Sequence, residues 1–294
     1  RFVGILVKRG RNCVTVQNGT VDSFKGWGIY FEGDNDVVNL KDLVVKNSGT
    51  NDREDGDSVD GGIRLGHSVL DPRDETRVSN VLVDNVTVVN TKNTGLTIAI
   101  KENLTIQNSL IDNIFAEENP IGSVTGLQIS SGSIVGIRGK NVILENTNVR
   151  NVTSDVMAGA FAIGLAGMRM SGLDNLKMTN CSSVRASANV IPSIPPSLVI
   201  FAENFLSGGI QNADIQNCEF TDVSSTGIAI TENFHMSANT FANGLRLTGN
   251  NSYKNCLCSG AIGDQGVNGM TLAYQKNSVV DSCHFADIHS RSAS

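Results

Sequence analysis

Residues able to do chemistry crowd into one stretch. From Ser48 the sequence reads SGTNDREDGDSVDGG, and from Arg64 it reads RLGHSVLDPRDETR. Asp52, Glu54, Asp55, Asp57, Asp60, Asp71, Asp74 and Glu75 are interleaved with Arg53, Arg64, Arg73, Arg77 and His67. Paired carboxylates are what glycoside hydrolysis needs: one protonates the leaving oxygen, and the other activates water or attacks. Asp55, Asp57 and Asp60 are the catalytic candidates on this ground, with His67 and Arg64 beside them. The same density of oxygen ligands could hold Ca²⁺, with Asp52, Asp55 and Asp57 as ligands. The plainer expectation is a solvated loop whose charges neutralise one another.

Other reactive types are spread more evenly. Glu102, Glu203 and Glu232 each precede an Asn, and Glu32 lies near a similar position. Stacked like charges repel, so such glutamates call for a cation or splay into solvent; solvation is the simpler expectation. The histidines, His67, His235, His284 and His289, share no spacing that would hold a metal, and none is assigned one. His235 alternates with Phe234 and Met236 and should therefore point outward. Cys181, Cys218, Cys256 and Cys283 each follow the same pattern position, which implies stacked thiols poorly aimed for a disulfide. No disulfide framework follows, the redox compartment stays open, and no cofactor is implied.

The elements that must position these groups come from a repeat. One pattern, Gly-apolar-any-apolar, occurs at 4–7, 28–31, 62–65, 95–98, 126–129, 227–230, 244–247 and 269–272. Degenerate copies at 162–165 and 197–200 bring the count to ten. A second pattern of alternating apolar residues ends in an Asn slot. Asn18, Asn85, Asn108, Asn146, Asn180, Asn217 and Asn255 fill it, and Asp42, Ala238 and Ser282 substitute. Five residues earlier stands a further Asn in most copies: Asn80, Asn103, Asn141, Asn175, Asn212, Asn233, Asn250 and Asn277. Alternation with period two is a strand with one buried face. Strands of four or five residues need stacking neighbours. Asn suits the bends, because it tolerates left-handed backbone and its amide can bond to the Asn above. The two patterns alternate about every 21 to 24 residues, as expected for a solenoid. The step from Ala238 to Asn255 is only seventeen residues and fits this spacing least well.

On these repeats the chain resembles the right-handed parallel β-helices of the pectin-lyase-like superfamily, built from the parallel β-helix repeats also found in NosD-like proteins. The resemblance implies an all-β, right-handed, single-stranded parallel β-helix of about ten coils over residues 1–294. It leaves function open among polysaccharide lyases, glycoside hydrolases, epimerases, tailspikes, adhesins and structural surface proteins. GIRLGHS (62–68) is similar to the Gly-His and Arg-Ile-Lys signatures of polygalacturonases, but order and context differ.

Between the repeats, inserts are expected at 47–61, 113–125, 152–161, 185–196 and 259–268, all from one side of the coil, with another at 68–78. Such loops could wall a groove. The net charge of -6 argues against a nucleic-acid partner, and no apolar run is long enough for a membrane span. The chain opens in what reads as a strand, so an N-terminal cap is expected to be missing. A glycan or another protein subunit would then cover the first coil. Scarce aromatics for sugar stacking (Phe 11, Tyr 3, Trp 1) favour a non-catalytic interaction protein on a cell or virion surface. A polysaccharide-active enzyme with an acidic groove is the alternative.

Overall fold

Asparagine decides where this chain turns. In the computed structural model, eighteen asparagines hold the left-handed backbone conformation at φ between 48° and 60°, and they fall into three columns. The structure describes residues 3–49, 60–66, 76–119, 124–131, 138–157, 164–191, 200–226, 229–237, 249–273 and 275–291. The first column is Cys13, Val37, Asn80, Asn103, Asn141, Asn175, Asn212, Asn250 and Asn277. The second, five residues on, is Asn18, Asp42, Asn85, Asn108, Asn146, Asn180, Asn217, Asn255 and Ser282. The third, five further, is Ser23, Asn47, Asn90, Asn113, Asn151, Arg185, Asp222, Gly260 and Asp287. Left-handed backbone costs most L-residues roughly 1–2 kcal/mol, and Asn least among those with a side chain.

Many corners bond to the one before them, and others reach the Asp that precedes it in sequence, as Asn108 Nδ2 does to Asp84 Oδ1 at 3.0 Å and Asn212 Nδ2 to Asp174 Oδ1 at 2.7 Å. In the first column Asn103 Nδ2 donates to Asn80 Oδ1 at 2.8 Å, Asn141 to Asn103 at 3.0 Å and Asn175 to Asn141 at 3.3 Å. In the second, Asn146 donates to Asn108 at 3.3 Å, Asn180 to Asn146 at 3.4 Å and Asn255 to Asn217 at 3.3 Å. In the third, Asn113 donates to Asn90 at 2.7 Å. Asp42 serves as acceptor for Asn85 at 2.7 Å. The third column was not foreseen from sequence.

Between corners the chain is strand, and the pairings among the described strands are parallel. One face registers Val16, Leu40, Val83, Ile106, Leu144, Met178, Ile215, Tyr253 and Val280. The glycine-slot face registers Val7, Phe31, Leu65, Ile98, Ile129, Met170, Ser207, Met236 and Leu272. The described residues thus wind as nine coils of a parallel β-helix, with the apolar columns filling its bore.

The sequence count of ten is corrected to nine, and the reason is local. Asn217 is followed in its column directly by Asn255, with Gln216 opposite Lys254. Ala238 and GLRL (244–247) lie outside the described residues. Three copies were also placed too early. The sixth coil enters its face at Gly167-Met168-Arg169-Met170 rather than at 162–165. In the seventh and eighth, Asn204 and Asn233 take the glycine's place, and Phe205 and Phe234 follow. Asn233 therefore belongs to this face and not to a corner. The segment 259–268, expected as an insert, is strand on both sides of Asp264 (Leu257–Gly263 and Gln265–Ala273). Much of 113–125, 152–161 and 185–196 likewise extends the strands Leu110–Asn119, Asn148–Met157 and Ser182–Ile191.

The glycine slot is tight. A Cβ on Gly126 would stand 2.3 Å from Val149 Cγ1 and 2.7 Å from the Gly167 carbonyl oxygen. Asn fits in coils seven and eight by turning into the bore. Asn204 Nδ2 donates to the Thr221 carbonyl at 2.7 Å and to Asn233 Oδ1 at 2.9 Å. Asn233 Nδ2 donates to the Ser259 carbonyl at 2.9 Å. Beside them Phe205 stacks on Phe234 at 4.6 Å, and Phe220 and Tyr253 meet Phe234 edge-on.

Candidate functional site

The repeated words AENF (202–205) and TENF (231–234) set two glutamates in register. Glu203 of strand Ile200–Gly208 pairs with Glu232 of strand Ala229–Ser237, and Leu206 pairs with His235. The Phe of each word packs in the bore, so by alternation the next residue, Leu206 or His235, faces away from it; Glu232 shares that side, since it meets His235, and Glu203 is in register with Glu232. On the next strand, Asn268 stands against Glu232 and Thr271 against His235.

One donor atom from each of Glu203, Glu232 and His235 lies within 4.8 Å of the other two. Glu232 is well held. Its Oε1 accepts from Asn268 Nδ2 at 2.7 Å and Thr271 Oγ1 at 3.2 Å, and its Oε2 meets His235 Nδ1 at 2.8 Å. Glu203 is fully buried, and both of its carboxyl oxygens have no hydrogen-bond partner. Unpaired burial of such a group is expensive. The pair is shielded from solvent, but Asn268 on the ninth coil is exposed, which leaves the cluster one side toward solvent.

The two carboxyls are driven in opposite directions. Burial pushes Glu203 well above the usual carboxylate range, the Glu232 charge adds to this, and Arg169 pulls back. Burial also pushes Glu232 up, but the hydrogen bonds from His235 and Asn268, with the His235 charge, outweigh it and hold Glu232 below its ordinary value. Arg169, one strand before, is itself lowered by burial, and Glu203 partly restores it. The cluster can thus carry a proton, a cation or an acid–base division of labour.

Of the catalytic and metal candidates marked from sequence, the structure describes Asp60 and Arg64. Asp52, Asp55, Asp57 and His67 lie outside the described residues. Asp60 is half-buried just before strand Gly61–Leu65. Arg64 is buried, its guanidinium 5.5 Å from the Trp27 ring and 5.6 Å from Tyr30, and its Nε donates to the Gly66 carbonyl at 3.3 Å. That arrangement packs Arg64 against the wall. The four glutamates do not share a place. Glu32 takes Lys8 at 2.8 Å, and Glu102 stands opposite Lys140. Only Glu203 and Glu232 stack, and they are buried, not solvated; this corrects the solvated expectation for that pair. His235 is half-buried on the outward side but engaged with Glu232. The doubled ENF could have singled out this pair, whereas its burial depends on packing no local pattern records.

No family model matches the chain, and no curated protein matches it. Among solved structures, PfbA, a surface adhesin of Streptococcus pneumoniae, is similar at 12% identity over 95% of this chain and 84% of that one, with a TM-score of 0.19. A score that low carries no argument about either fold or function.

Proposed function

We propose that this protein is a non-catalytic β-helix displayed on a cell, particle or virion surface, which contacts a glycan or another protein along its side. The observation behind this reading is the enclosure of Glu203 and Glu232, at 0% and 5% exposure. A polymer sliding along the outer wall does not reach them. What the wall offers instead is a regular polar relief. A shallow groove of about 550 Å³ runs along it, lined by Asn146, Asn148, Arg150, Ser182 and Arg185 among others. Arg150 is braced by Asp112 at 2.8 Å, and Arg185 stands exposed at a third corner. Two guanidiniums with amides and hydroxyls suit carboxylated sugars or acidic side chains. No helix among the described residues is long and apolar enough to cross a membrane.

One observation favours a second reading, a polysaccharide-active enzyme. Carboxyl oxygens within 4.8 Å of each other approach the roughly 5 Å separation of retaining glycosidases. A panel of neutral and uronate-containing glycans separates the two. Binding without new reducing ends or unsaturated product, weakened by Arg150→Ala and Arg185→Ala, supports the interaction protein. Turnover that disappears in Glu203→Gln replaces it with the enzyme.

A further inference from the structure

We propose that Glu203, Glu232 and His235 hold one divalent transition-metal ion of the zinc class, bracing the seventh and eighth coils together. Two observations meet here. The first is convergence: two carboxylates and an imidazole from adjacent strands bring their donor atoms within 4.8 Å of one another. The second is independent of it: Glu203 is fully buried, and neither of its oxygens has a partner. A buried carboxyl aimed into a cluster of ligands and left unbonded is a group awaiting a positive charge.

The ligand set chooses among ions. Ca²⁺ takes six to eight oxygens, whereas this cluster offers two carboxylates and a nitrogen. Imidazole with carboxylate suits zinc and its neighbours in the first transition row. Three protein ligands leave a position for water, and exposed Asn268 marks the side from which it would come. Asn268 and Thr271 already hold Glu232 Oε1. Such outer partners aim a ligand carboxylate and typically contribute 10–100-fold to metal affinity. Arg169 disfavours an ion by its charge, but it lies on the strand before Glu203 and on the diagonal, registered with Leu206. A structural ion here would tie strand Ile200–Gly208 to Ala229–Ser237 beside the Asn204–Asn233 pair.

The test uses the full chain, stripped with chelator and titrated calorimetrically with ZnCl₂ and, separately, CaCl₂. One equivalent of zinc should bind and raise the thermal midpoint, and calcium should do neither. Glu203→Gln and His235→Ala should lower zinc affinity by an order of magnitude or more. Asn268→Ala, a change at an exposed position, should lower it about tenfold. Absence of zinc binding by the wild-type chain overturns the proposal, as does binding that all three variants retain. A Glu203→Gln chain that melts higher than wild type, with zinc shifting neither, also overturns it, because a proton would then satisfy the carboxyl.

Discussion

Val37 is the poorest fit among the corner residues. It is β-branched, yet it holds φ at 52° in a column otherwise mostly Asn. It can accept nothing through its side chain, so Asn80 Nδ2 turns to Asp36 Oδ1 at 2.6 Å instead. Val37→Asn should relieve the backbone and supply the missing acceptor, stabilising the fold by about 1 kcal/mol. A urea midpoint that falls would count against the corner rule. The position after the second corner obeys its own logic. Ser109 Oγ donates to the Gln107 carbonyl at 2.8 Å, and Cys181, Cys218 and Cys256 make the same bond two residues back. These thiols are free. Burial, with the Cys283 charge, pushes Cys256 up to about 11. The unfolded thiol titrates near 8.5. A raised acid keeps its full contribution below about 8.5 and loses it as pH climbs toward 11, because the unfolded chain releases its proton first. Denaturation at pH 7.5 and 10 should show an alkaline loss of about 1.4 kcal/mol per unit for this thiol. Cys256→Ser should reduce that loss; an unchanged slope would place the titration elsewhere.

Among the strands, Ala229–Ser237 holds most at once: Phe234 in the bore, Asn233 in the glycine slot, and Glu232 with His235 outside. Phe234 touches Phe205, Phe220 and Tyr253. Phe234→Ala should cost about 3–5 kcal/mol, read as a lower denaturant midpoint with parallel β signal retained in the folded state. A loss under 1 kcal/mol would mean the aromatic cluster is not tightly packed. This strand also shows what the sequence could and could not disclose. Corners were legible because left-handed backbone narrows the choice to Asn, as at Asn85, Asn108 and Asn146. The third column was hidden because Ser23, Arg185, Asp222, Gly260 and Asp287 occupy it in five coils. Phase is hidden at Asn204 and Asn233 because an Asn whose amide bonds inside the bore takes the place that Gly marks in the other coils. The Glu203–Glu232 stack was visible as a pair of glutamates, but burial of charge is a property of the folded packing around it. A period says nothing about it.

Over the whole molecule each coil rests only on its neighbours, so stability accumulates along the axis and openings start where support is thinnest. The ninth coil leaves Val279, Val280 and Phe285 at 54%, 45% and 44% exposure, while Leu40, Val83 and Ile106 are fully buried. Hydrogen exchange should be fastest in strand Val279–Asp281 and slowest in the strands carrying Val83 and Ile106. Uniform protection throughout would mean a single cooperative unit. The corner spacing carries one more consequence. First, second and third corners stay five residues apart in all nine coils, yet equivalent corners on successive coils are separated by as few as 23 residues and as many as 43. All that variation falls between a third corner and the next first corner. A lineage, or an engineer, can therefore splice foreign peptide on either side of the glycine-slot strand in that interval without shifting any column, while a single residue gained between corners, or inside that strand, would throw the downstream columns out of alignment. The molecule is built to accept new passengers at two stations per lap, one on either side of the glycine-slot strand.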